Sequence, residues 1–123
     1  MQNNNPDLTL IVRDEMNTEQ LLITIEKQIE DDKIEDITIF DVRGKSNITS
    51  YIVIGTGSST KHISSSSEKL ADRIDSAYNE AQNISMEGRN KNAGWILIDL
   101  GEIIVHLMTR EARAKYNLEE IFS

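Results

Sequence analysis

The chain contains no cysteine, so neither a disulfide framework nor a thiolate metal site is available to it. That absence fits a reducing compartment. Histidine is scarce too: His62 and His106 stand alone, and with scattered acids they make no recognisable metal-ligand spacing. No apolar run approaches the roughly 20 residues of a membrane span. The opening Met1-Gln2-Asn3-Asn4-Asn5 has neither the basic region nor the apolar core of a signal peptide. The expectation is a cytoplasmic protein without a membrane partner. Also missing is any lysine or arginine cluster of the kind that dominates nucleic-acid affinity.

What the chain does have is acid, with a net charge of −8. Residues 1–36 hold ten acidic and three basic side chains, while residues 37–123 hold eleven and ten. The acid is therefore mostly N-terminal, and the remainder is nearly neutral. Little or no direct nucleic-acid binding is expected, and a protein surface is the better partner. A length of 123 residues makes one domain the default, long enough for a real core.

The densest stretch is Gly94 to Met108, which reads as two strands joined at Leu100-Gly101, where glycine can take the positive φ of a tight turn. Ile96, Ile98, Ile103 and Val105 have the spacing of sheet core. Trp95 and His106 are the two hairpin side chains with chemistry beyond packing. On a strand, His106 shares a side with Ile104 and Met108, facing either a covering helix or a partner. It reads as a buried structural histidine, an interface residue, or, last, a catalyst or ligand. Trp95 is either a cap on the core or an interface anchor of the kind that carries much of a binding energy.

Residues 1–16, with the only proline and the short run Leu8 to Val12, read as a loose or weakly ordered tail, or as an edge strand; residues 17–123 form the domain. Asn17 and Thr18 are rival caps for a helix whose Leu21, Leu22, Ile25 and Ile29 recur at the helical period. Strands follow at 36–42 and 50–55, the second apolar enough to be covered on both faces. A Gly55-Thr56-Gly57-Ser58-Ser59 turn opens a helix reaching about Gln82, with Ile63, Leu70, Ile74, Ala77, Tyr78 and Ala81 inward. Ser64 to Ser67 within it marks close backbone approach or simple low complexity. After a short strand at 84–87 and the hairpin, Arg110 to Tyr116 forms a helix, and Leu118, Ile121 and Phe122 pin the end. Segregated helices on a mixed sheet, an α/β (α+β) domain, are the natural arrangement.

The Gly55 to Ser59 turn sits where anions often bind. It lacks both the third glycine of a dinucleotide fingerprint and the Gly-Lys-Ser/Thr of a phosphate loop. A nucleotide-binding or nucleotidyltransferase-like enzyme would need paired carboxylates to hold magnesium. Asp99 and Glu102 are the nearest approach to such a pair, and solvated turn residues are their ordinary reading. No catalytic, cofactor or metal residue is assigned.

In order and at matching spacing, Asp41 to Gly44, Thr49 to Ser59, Glu87-Gly88, Gly94 to His106, Arg110 to Arg113 and Tyr116 to Phe122 resemble the ribosomal silencing factor (Iojap-like) family over residues 20–122. The resemblance implies a mixed five-stranded sheet with flanking helices, nucleotidyltransferase-like in topology but without catalytic acids. It implies a non-enzymatic repressor, without cofactor, that binds ribosomal protein uL14 on the large subunit and blocks joining of the small subunit. Homodimers are common in the family, and organellar relatives act in ribosome assembly, an alternative role. Carried over, Trp95, Asp99, Leu100, Glu102 and His106 mark the protein interface, with Gly101 in the signature hairpin. Leu100 stands where many members have an aromatic residue, and Glu102 replaces the usual aspartate.

Overall fold

The computed structural model describes residues 17–78, 84–89 and 92–122. The expected tail, with its run Leu8 to Val12, lies outside those residues. Helix α1 (Thr18–Asp31) starts because the Asn17 side chain accepts the Glu19 N–H at 2.8 Å, so Asn17 and not Thr18 is the cap. Leu21, Ile25 and Ile29 are its buried face. The helix ends at Lys33, where φ is +69°, and the Ile34 N–H returns to the Ile29 carbonyl at 2.9 Å.

Five strands follow: β1 (Glu35–Asp41), β2 (Tyr51–Gly57), β3 (Ser85–Glu87), β4 (Trp95–Asp99) and β5 (Ile103–Thr109). They form one mixed sheet in the order β1-β2-β5-β4-β3, parallel only between β2 and β5. Every residue of β2 is buried, as a central strand with both faces covered requires. This strand runs two residues further than the sequence suggests, because Gly55, Thr56 and Gly57 keep register with Leu107, Met108 and Thr109 of β5. The glycines belong to the sheet, and the turn proper is Ser58-Ser59.

Helix α2 (Thr60–Tyr78) lays Ile63, Ser67, Leu70 and Ile74 on the sheet. That line leaves Ala77 exposed, contrary to expectation. The Tyr78 side chain and Ala81 fall outside the described set. Within the serine run Ser66 and Ser67 are buried, with Ser66 Oγ donating to Asp32 Oδ2 at 3.2 Å and Ser67 Oγ to the Ser64 carbonyl of its own helix at 2.7 Å. Helices α1 and α2 cover one face of the sheet, over a core that includes Val53, Ile96, Ile98, Ile103, Val105 and Leu107.

The opposite face carries a smaller core, built from Val42, Ile52, Ile54, Met108, Ala112 and Leu118. It is covered in part by α3 (Arg110–Tyr116) and the single turn α4 (Glu119–Phe122). Leu118 and Phe122, four residues apart, pack inward together. Ile121 points away and is 68% exposed, so it does not pin the end of the chain. Among the described residues no helix is long and apolar enough to cross a membrane.

Candidate protein-docking face

Strand alternation sorts the hairpin into two sides. Ile96 and Ile98 enter the main core, while Trp95, Leu97 and Asp99 remain half-buried on the other side. Across the ladder they meet Met108, His106 and Ile104 respectively. The Trp95 indole N–H donates to His106 Nδ1 at 3.0 Å, and Trp95 also lies 4.8 Å from the Tyr116 ring centroid. An accepting Nδ1 places the imidazole proton on Nε2. Burial pushes the His106 pKa down to about 4, and the residue is 6% exposed. His106 is therefore a neutral, hydrogen-bonded residue of the sheet, and its partner Trp95 caps the smaller core.

Beside this pair lies an apolar groove of about 440 Å³. Its floor is Ile52, Leu97, Ile104 and His106; Ile48 stands on one wall, and Ile121 and Phe122 on the other. Ile48 is 83% exposed, an unusual position for a large aliphatic side chain. Its loop is held in place from both ends. Asp41 accepts from Arg43 Nε at 2.9 Å and Nη2 at 2.7 Å, and that guanidinium holds the carboxyl down to about 2. Ser46 Oγ accepts the Ile48 N–H at 3.1 Å, and Thr49 Oγ1 donates to the Glu102 carbonyl at 2.9 Å.

The expected interface residues do not all reach this surface. Leu100 is a correction: at 3% exposure it lies in the main core, beneath the turn, and offers no contact area. Asp99 Oδ1 accepts the Gly101 N–H at 2.9 Å, stabilising a turn whose Gly101 has φ +84°. The exposed Glu102 accepts from Ser50 Oγ at 2.5 Å. Both acids thus shape the hairpin end, and among the described residues no cluster of His, Asp and Glu could hold a metal. Sequence reading missed Ile48 and Ile121. The signal for Ile48 was a lone isoleucine inside the polar stretch from Arg43 to Ser50.

The glycine-serine turn is occupied by its own neighbours. The Ser58 N–H donates to His62 Nδ1 at 2.8 Å, and His62 Nε2 donates to the Asp32 carbonyl at 2.6 Å. A Cβ at Gly55 would stand 2.5 Å from Ile34 Cγ2, and one at Gly57 would stand 2.4 Å from Ile63 Cγ2. The glycines admit packing side chains; the sheet explains them without a phosphate.

Compared with known proteins, residues 15–123 match the family model described as ribosomal silencing factor during starvation. The ribosomal silencing factor RsfS of Haemophilus influenzae is 43% identical over 88 residues, which cover 72% of this chain and 83% of that one. The Zymomonas mobilis RsfS is 38% identical over 104 residues, 85% of this chain and 76% of that one. A solved structure of a Chromobacterium violaceum protein has the same fold, with a TM-score of 0.80 and 22% identity over 87% of each chain.

Proposed function

The chain belongs to the ribosomal silencing factor (Iojap-like) family, and we propose that it represses translation by seating the groove face on ribosomal protein uL14 of the large subunit, where its bulk blocks the small subunit. The observation that carries this reading is the groove itself, with Ile48 and Ile121 exposed on facing walls. A single exposed isoleucine would carry no argument, but an apolar groove edged by two of them supports a partner surface. The chain's charge of −8 suits a basic ribosomal protein better than RNA, and gives steering while the apolar walls give contact. A blocker needs occupancy and no turnover, in keeping with a family of silencing factors and not of enzymes. In this reading the five-stranded mixed sheet is a scaffold put to binding use.

The test is sedimentation of the pure protein with isolated large subunits, small subunits and joined ribosomes. Retention on large subunits alone, with a reduced yield of joined ribosomes, is the expected result. Failure to bind any ribosomal particle would end the proposal. Retention only on immature large subunits, with joining unaffected, would replace it by an assembly role.

A further inference from the structure

One wall of the groove is tied to an arginine that lies outside it. Arg113 is largely buried and uses all three guanidinium nitrogens. Nε donates to Glu119 Oε2 at 2.9 Å; Nη1 donates to the Asp36 carbonyl at 2.6 Å and Thr56 Oγ1 at 2.9 Å; Nη2 donates to Thr38 Oγ1 at 3.0 Å. Three of these bonds anchor the side chain to β1 and β2, and the fourth holds α4. The Arg113 carbonyl also accepts the N–H of Asn117, whose φ of +49° turns the chain from α3 into α4.

Four residues cannot hold a helical turn by themselves, since nucleation is unfavourable and few bonds repay it. What fixes α4 is therefore its docking: Leu118 and Phe122 on the smaller core, and Glu119 on Arg113. An exposed ion pair would add little, but here the arginine is shielded and already fixed by the sheet, so the carboxylate meets an ordered donor.

We propose that Arg113 is a positioning residue of the docking groove, holding α4 through Glu119 so that Ile121 and Phe122 form its wall. Neither Arg113 nor Glu119 lines the groove, so both act through α4. The affinity consequence rests on the docking reading above; the latch itself does not.

Glu119→Ala cuts the bond to α4 and leaves the three sheet bonds of Arg113 in place. Glu119→Gln keeps an acceptor and serves as the rescue variant. Arg113→Lys keeps the charge and loses the fork that reaches three partners at once. Two readouts are made on the full chain: amide hydrogen exchange at Ile121 and Phe122 in the free protein, and affinity for purified large subunits. In Glu119→Ala, exchange at both amides should quicken and affinity fall, each by about tenfold, the scale of a lost charged hydrogen bond. Exchange at Val53 and Val105 should stay at the wild-type rate, and Glu119→Gln should recover most of the loss. Unchanged exchange at Ile121 and Phe122 overturns the latch. Faster exchange with unchanged affinity overturns its role in the groove. Wild type failing to bind large subunits overturns the docking reading instead, a result that the exchange measurement separates from failure of the latch. Should Arg113→Lys not fold, Glu119→Ala decides alone.

Discussion

At the scale of single residues, the Trp95–His106 pair makes a pH prediction. The folded His106 holds its proton only below about 4, whereas an unfolded histidine takes one near 6.5. Between those values the unfolded chain binds more protons, so this contribution is fully present above pH 6.5 and is lost as pH falls toward 4. The loss should approach about 1.4 kcal/mol per pH unit inside that window. Urea unfolding of wild type and His106→Gln between pH 7.5 and 4.5 separates this slope from that of the carboxylates. The slope should shrink in the variant; equal slopes in the two proteins would mean that His106 titrates alike in the folded and unfolded chain.

The glycines of β2 illustrate what belongs to the element scale. A sequence reader sees Gly55-x-Gly57-Ser58 between strand and helix and thinks of an anion. In the folded chain those glycines lie under Ile34 and Ile63. Gly57→Ala should therefore destabilise the protein by roughly 1–3 kcal/mol, the usual cost of overpacking, in chemical denaturation. No such loss, together with altered binding of a nucleoside triphosphate, would return the turn to candidacy as a site.

The elements themselves were legible because their patterns are local. The unbroken apolar run from Tyr51 to Ile54, the helical period of Leu21, Ile25 and Ile29, and the alternation of Ile96 with Ile98 each follow from neighbours in sequence. The candidate site was legible only in part. Trp95 and His106 stood out by residue type, but whether they were wet or dry depended on α3 and α4 crossing over them. Leu100 looked like a turn residue and lies in the core. Ile48 left a faint signal, a lone isoleucine in a polar stretch, whereas the exposure of Ile121 and the four-way role of Arg113 arise from contacts between distant segments, for which a linear pattern holds no trace.

For the whole molecule, the docking proposal divides the work between charge and shape. A net charge of −8 facing a basic partner predicts association that weakens as salt rises past physiological strength, where the screening length drops below about 8 Å. Measured association rates with large subunits should fall across 50 to 300 mM potassium chloride (about 14 to 6 Å of screening length), with dissociation rates changing less. Salt-independent association would remove electrostatic steering from the account.

The groove is the central claim, and opposite faces of the same molecule provide its control. Ile48 on the groove wall and Ile23 on the outer side of α1 are both large, aliphatic and exposed, at 83% and 65%. Changing either to aspartate alters charge and apolar area alike, and exposed substitutions usually leave stability within about 0.5 kcal/mol. The measurement is the affinity of wild type, Ile48→Asp and Ile23→Asp for purified uL14, made on chains whose unfolding midpoints agree. The account predicts at least a roughly tenfold loss for Ile48→Asp, as for an interface anchor, and at most about twofold for Ile23→Asp. Equal losses at both positions, or none at Ile48, would contradict it.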